Sequence, residues 1–252
     1  MSLPRRYDRQ FRPRFSRLHL DRDLRWVVPL SVRYVVAITG ERFAGKSVAL
    51  AYLTEKHGFE VYSLATTLRE LAVEFGVPLE PRHRLQDLGD ELRTEHRDPA
   101  YLARLTLRKI HRDHLDHRAR AEAPRRIAVG SFKRLEEVRL FEALDRFRQL
   151  NIFASRKVRL ERALDSGIMA QELMHLSPPP ALDMATFKRH IERRDRMGND
   201  NPWTDGYGQA VAEVTSAKSA KTISNRGRLA DLATALDGEI SDLDEQHSAF
   251  SG

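Results

Sequence analysis

Gly40-Glu41-Arg42-Phe43-Ala44-Gly45-Lys46-Ser47 is the stretch that decides the fold of this chain. It satisfies G-x-x-x-x-G-K-[ST] at every fixed position, and its flanks fit as well. Before it runs Tyr34-Val35-Val36-Ala37-Ile38-Thr39, a short β-branched apolar run that reads as a buried strand. After it, Val48-Ala49-Leu50-Ala51-Tyr52-Leu53 continues as a good helix former. Strand, glycine loop and helix in that order make a phosphate cradle. The glycines let the backbone wrap so that successive N–H groups point inward at phosphate oxygens. The helix N-terminus adds a partial positive charge. In such a cradle Lys46 reaches the β- and γ-phosphates and the Ser47 hydroxyl ligates Mg²⁺. The expected ATP-binding segment is therefore Gly40, Glu41, Arg42, Phe43, Ala44, Gly45, Lys46, Ser47 and Val48, with Ser47 as the metal ligand.

Outward from the cradle, strand and helix patterns alternate from Arg33 onward. Strands are predicted over 34–39, 60–64, 126–129, 151–154 and 222–224. Helices are predicted over 46–56, 67–75, 85–95, 99–118, 135–149, 158–165, 187–196 and 228–236. Alternation of this kind calls for a three-layer α/β/α domain with a five-stranded parallel sheet. The chain divides into a basic extension (1–32), this domain (33–240) and a tail (241–252). Ser177-Pro178-Pro179-Pro180 and the stretch 198–206, which contains Trp203, are rich in loop formers. They set the segment between them apart from the sheet. Trp203 reads as a hydrophobic anchor of its loop in preference to a stacking platform for a base.

At 252 residues and 41% hydrophobic content, the chain has enough apolar side chains for one sizeable core. It has no cysteine, which excludes disulfides and thiolate metal sites. The expected compartment is the cytoplasm, since no apolar run is long enough to span a bilayer. The formal charge is +7, and much of the excess sits in the extension. There Arg5, Arg6, Arg9, Arg12, Arg14, Arg17, Arg22 and Arg25 face only Asp8, Asp21 and Asp23. Such a tail can bind polyanions, which makes nucleic acid a candidate partner beside small nucleotides. A solvated extension packed through Leu18, Leu20, Trp26 and Val27 accounts for the same residues. His111, His114 and His117 recur every three residues, but Asp113 and Asp116 interleave with them, and the spacing reads as a solvated mixed-charge helix face.

A second constellation follows the second strand. It comprises Ser63-Leu64-Ala65-Thr66-Thr67-Leu68-Arg69-Glu70, then Arg84-Leu85-Gln86 with Gly89 and Arg93. Here the chain resembles the nucleoside monophosphate kinase group of P-loop NTPases, in particular phage-type deoxynucleoside monophosphate kinases and archaeal dephospho-coenzyme A kinase-like proteins. The likeness spans most of 33–240. It pairs Leu68-Arg69 with a leucine-arginine helix start, and Arg84, Leu85-Gln86, Gly89 and Arg93 with an acceptor block. Lys133 and Glu137 match, more loosely, an arginine and a glutamate after the third strand. Arg159 and Arg162 match lid-helix arginines, and the 221–225 stretch matches a closing strand.

The resemblance implies a P-loop kinase fold with a helical acceptor region near 65–120 and a lid near 156–206. It also implies ATP and Mg²⁺ as cofactors, and a nucleotide or dephospho-coenzyme A as acceptor. Arg69, Arg84, Gln86 and Arg93 would bind that acceptor, and Lys46, Arg159 and Arg162 would act on the transferring group. Physical reasoning agrees, because two polyanions brought within attack distance need cations on several sides, and guanidinium forks suit phosphate oxygens. Phosphoryl transfer asks the protein mainly for positioning and charge neutralisation.

Two positions depart from that family. Lys221 stands where the family's closing strand usually carries an aspartate, and the family's third strand ends in an aspartate near the metal, where this chain has Gly130-Ser131. Ser131 can hydrogen-bond a metal-bound water but brings no charge; Glu136 and Glu137 at the start of the next helix are the acids to compensate, and Glu41 and Asp195 are others with no spacing argument behind them. The second departure leaves two readings open: a kinase whose Mg²⁺ is held by Ser47 and the phosphates, and a nucleotide-binding module with little or no transfer.

Overall fold

The computed structural model describes residues 31–80, 83–115, 124–167, 185–186, 188–189 and 220–248. Five strands carry the architecture: β1 (Val32–Thr39), β2 (Glu60–Ser63), β3 (Arg125–Gly130), β4 (Phe147–Phe153) and β5 (Ala220–Ser224). They form one sheet in the order β2-β3-β1-β4-β5, and every pairing is parallel. Seven helices pack around it among the described residues: α1 (Lys46–His57), α2 (Leu64–Glu74), α3 (His83–Glu95), α4 (Tyr101–Leu115), α5 (Leu135–Glu142), α6 (Arg156–Asp165) and α7 (Leu229–Gln246).

The period-2 geometry of β1 splits the core into two layers. Val35 and Ala37 join Ile127 and Val129 under Leu64 and Leu68 of α2, Leu88 of α3, Leu107 of α4 and Phe141 of α5. Tyr34, Val36 and Ile38 face the other way, with Leu150 and Ile152, under Leu53 of α1 and Leu232, Leu236 and Ile240 of α7. A parallel sheet covered on both faces needs apolar side chains at nearly every position of its central strand, which explains the unbroken run in β1. The expected three-layer α/β/α fold with a five-stranded parallel sheet is the observed one.

Four local expectations need correction. The predicted 135–149 helix stops at Glu142, and β4 begins at Phe147 instead of 151. Arg148 and Gln149 disguise that strand. Gln149 is buried, and its Nε2 donates to Thr39 Oγ1 of β1 at 3.0 Å. The last helix does not end near 236 but runs to Gln246, with Ile240 and Leu243 buried, so the first part of the expected 241–252 tail is packed helix. His114 is not on a solvated face: it is buried beside Glu60, 3.2 Å from its Oε2, and Tyr62. Among the described residues, no group of histidines and acids is placed to hold a metal. No described helix is long and apolar enough to cross a membrane. The extension up to residue 30, His117, the 187–196 helix apart from Lys188 and Arg189, Asp195 and Trp203 lie outside the described residues.

Candidate functional site

β1 is the middle strand, and its chain leaves the sheet where the connections change direction, back to β2 at one edge after β1 and on to β5 at the other after β4. This is the crevice at the carboxyl edge where open α/β sheets bind ligands. The loop from Gly40 to Gly45 occupies it. Gly40 has φ 141° and Gly45 has φ 106°, a region that side-chain-bearing residues rarely adopt. Both also need the space, since a Cβ on Gly40 would collide with the Ile152 carbonyl and one on Gly45 with the Asn225 amide. Phe43 takes the left-handed conformation at φ 61°, and the Arg42 guanidinium lies over its ring at 4.9 Å.

Gly45 is the N-cap of α1. No side chain caps this helix, and its first turn carries no acid. The first N–H groups of a helix need acceptors, so this end is chemically ready for an anion. Lys46 folds back over the loop, its Nζ donating to the carbonyls of Gly40 at 2.8 Å and Glu41 at 2.7 Å. Its pKa falls to about 8, chiefly through burial and then through the charge of Arg42, with Glu41 opposing and Arg159 adding. Ser47 and Val48 are exposed on the first turn.

α6 flanks the loop with two of its three arginines. Arg159 is buried and pairs with Glu41, Nε to Oε2 at 3.2 Å. Arg162 turns to the loop's outer side. Its Nη1 donates to the carbonyls of Phe43 at 3.2 Å and Ala44 at 3.1 Å, and its Nη2 to Asn225 Oδ1 at 2.9 Å. Asn225, the residue after β5, completes the arrangement by donating its Nδ2 to the Ala44 carbonyl at 2.8 Å. Asn225 carries no predicted site role; its signal in the sequence is that it ends the 221–225 stretch matched to a closing strand, 181 residues from the loop it bonds.

On the other side of β1, β2 and β3 end in hydroxyls. Ser63 and Ser131 share a hydrogen bond at 2.9 Å, and Ser131 sits at φ 70°, a strained conformation of the kind that clusters at functional sites. Glu137 is fully buried. Its Oε1 meets Arg93 Nη2 at 2.7 Å, and its Oε2 accepts the N–H of Lys133 at 2.7 Å and of Arg134 at 3.2 Å. It therefore ties α3 to the turn that follows β3 and caps α5. Asp90 bridges Arg93 and Arg134, at 3.1 Å from each. Gly89 lets α3 sit close to α2, since a Cβ there would come within 3.2 Å of Leu68 and 3.3 Å of Arg93.

The predicted acceptor residues are thus distributed unevenly. Arg93 is inside, held by carboxylates, while Arg69 on α2 and Arg84 on α3 are exposed and Gln86 is half-buried. Glu136 lies in the first turn of α5.

The residues fit a triphosphate on the strength of the uncapped α1 terminus, the two constrained glycines and Lys46. Mg²⁺ would be held by Ser47 together with phosphate oxygens.

No family model matches this sequence, and no curated protein matches it. Among solved structures, the chain is similar to TT1252 from Thermus thermophilus, with 21% identity, 83% of this chain and 97% of that chain covered, and a TM-score of 0.46. It is similar to a shikimate kinase from Acinetobacter baumannii in complex with shikimate, with 14% identity, 83% and 93% covered, and a TM-score of 0.42. A gluconokinase from Sinorhizobium meliloti stands at 14% identity, 85% and 97% covered, and a TM-score of 0.38. With every TM-score below 0.5, these likenesses do not extend to a site or a substrate.

Proposed function

We propose that this chain is an ATP-dependent phosphotransferase of the nucleotide-kinase type, moving the γ-phosphate to a (deoxy)nucleoside monophosphate or a similar small phosphorylated acceptor. The observation that carries this reading is the N-terminus of α1. It has no side-chain cap, it is preceded by a glycine at φ 106°, and Lys46 rests on carbonyls that a phosphate would replace as its partners. Lys46 would reach the β- and γ-phosphates, Ser47 would hold Mg²⁺ together with phosphate oxygens, and Arg159 would turn from Glu41 to neutralise charge on the transferring group. Arg69 and Arg84 meet the acceptor from α2 and α3, with Gln86 beside them. Charge neutralisation of this sort accounts for most of the rate of phosphoryl transfer.

Lys46→Ala tests the chemistry. Turnover should fall by roughly 10²–10³, as when one pre-aimed donor is removed from a transition state. Arg69→Ala tests the acceptor and should raise the acceptor KM far more than the ATP KM. A panel of nucleoside monophosphates, dephospho-coenzyme A and DNA ends, assayed with labelled ATP, names the acceptor. Full activity in the Lys46→Ala protein would sink the proposal.

A second reading has its own observation. Among the described residues at the ends of β2 and β3 there are two serine hydroxyls, and the nearby Glu137 is engaged by Arg93 and two backbone N–H groups. ATP binding without product from any acceptor would favour a nucleotide-binding module. Nucleic acid as acceptor or partner rests on the basic extension, and it requires oligonucleotide binding that falls steeply with salt and is lost on deleting residues 1–30.

A further inference from the structure

The loop's outer surface carries an arrangement that the transfer chemistry does not use. The Ala44 carbonyl is buried and receives two donors, Arg162 Nη1 at 3.1 Å and Asn225 Nδ2 at 2.8 Å. Arg162 Nη1 also reaches the Phe43 carbonyl at 3.2 Å. The two side chains brace each other through Arg162 Nη2 and Asn225 Oδ1 at 2.9 Å. Asn225 is itself fixed from the sheet, because its backbone N–H donates to the Phe153 carbonyl at 2.7 Å.

A trans peptide holds its C=O and N–H on opposite sides of the chain. Pinning the Ala44 carbonyl outward therefore directs the N–H of Gly45 inward, toward the cradle. The preceding N–H, that of Ala44, is spent on the Glu41 carbonyl at 3.2 Å. Gly45 is then the first loop N–H beyond that turn, and a rotation of the Ala44–Gly45 peptide would point a carbonyl at the phosphate in its place. Glycine at 45 makes such a rotation easy, so something outside the loop has to oppose it. The same contact explains the glycine, because any Cβ there would strike the Asn225 amide.

We infer that Asn225 and Arg162 form a clamp that holds the Ala44–Gly45 peptide with its N–H facing the phosphates, which makes Asn225 a positioning residue for the triphosphate. Arg162 acts through the loop backbone and not as a direct hand on the γ-phosphate. Both forks of its guanidinium are turned to the loop carbonyls and Asn225, while Arg159, one turn earlier on α6, faces Glu41. The inference rests on the phosphate reading of the cradle.

Asn225→Asp is the sharpest probe. It keeps the shape and the partner for Arg162, but sets a carboxylate oxygen where the Nδ2 donor met the Ala44 carbonyl. The affinity for ATP and for inorganic tripolyphosphate should each fall at least about tenfold, the worth of an oriented hydrogen bond to a charged group. Thermal unfolding of the ligand-free protein separates this from simple destabilisation, since loss of folded fraction lowers Tm without changing the affinity of what stays folded. In an activity assay the ATP KM should rise and the acceptor KM should stay.

Arg162→Lys is the second variant. It retains the charge but cannot span both carbonyls and Asn225, and the same loss is expected. Unchanged tripolyphosphate affinity in folded Asn225→Asp and Arg162→Lys proteins would overturn the clamp alone. A wild-type protein that binds neither ATP nor tripolyphosphate would overturn the phosphate reading and the clamp with it.

Discussion

The two sides of β1 spend their cations differently. On the β4–β5 side, arginine and asparagine bond the backbone of the glycine loop from outside, and Lys46 is left against two carbonyls within it. On the β2–β3 side, Arg93 is committed to Glu137 and Asp90 inside the protein, while Arg69 and Arg84 stand at the surface. The first side is built to hold one anion in one geometry. The second side has a rigid buried anchor and an adaptable outer pair, an arrangement suited to a second, more variable ligand. Under the proposed function, preorganisation would be concentrated where the donor's phosphates are aligned, and the acceptor side would keep its freedom.

The largest effect is expected from breaking the buried anchor. Glu137→Ala would leave the buried Arg93 guanidinium to Asp90 alone and remove the acceptor for the Lys133 and Arg134 N–H groups. Removing one partner of a buried ion pair costs about 3–5 kcal/mol, and a urea midpoint measures it. The double variant Arg93→Met with Glu137→Leu should recover the part due to the uncompensated arginine, while the Lys133 and Arg134 N–H groups stay without their acceptor. It also separates the two roles open to Arg93. Recovered stability with an unchanged acceptor KM makes Arg93 a structural strut, whereas recovered stability with a raised KM places it at the acceptor.

The donor side is tested by pH. Lys46 has its pKa lowered to about 8, mainly by burial and by the charge of Arg42. A lysine whose folded pKa lies below its unfolded value of 10.5 destabilises the fold at low pH. That penalty is fully present below about 8 and is relieved as pH rises from 8 toward 10.5. Ligand binding runs the other way, because phosphate favours the charged amine. Above pH 8 ATP must bind with uptake of a proton, and its affinity should fall by about tenfold per pH unit. Lys46→Arg, charged throughout, should bind with a flat profile. A flat profile in the wild type would detach Lys46 from the phosphates.

The same contrast explains what could be read from the sequence. The cradle is local: eight residues and their two flanks specify strand, turn and helix with little help from elsewhere. β1 was visible because both of its faces are apolar. Only the end of β4 is legible, since Arg148 and Gln149 break the apolar run of its first half, and the partner that satisfies Gln149 is Thr39, 110 residues earlier. His114 reads as a surface residue because its neighbours are charged, yet Glu60 of β2 meets it in the interior. The clamp was invisible for the same reason, as neither Arg162 nor Asn225 lies near the loop in sequence. Local chemistry carries over from residue order, whereas a buried polar contact across the sheet needs the fold first.

The smallest effect, and the one that sharpens the comparison most, concerns the turn after β3. Ser131 is held at φ 70° with its hydroxyl 2.9 Å from that of Ser63. Aspartate tolerates the left-handed region well, so Ser131→Asp restores a carboxylate there without a new backbone demand. If this turn faces the metal carried by ATP, the added charge should tighten the apparent Mg²⁺ requirement by a few-fold, since hard cations follow the count of charged oxygen ligands. The ATP KM should hardly move, because the cradle and its clamp lie on the other side of β1. A variant with unaltered Mg²⁺ dependence would remove the β2–β3 side from the metal altogether and leave it to the acceptor alone. A raised acceptor KM with unaltered Mg²⁺ dependence would say more, because a new negative charge that repels the acceptor can do so only if the acceptor is itself an anion bound beside Ser63 and Ser131.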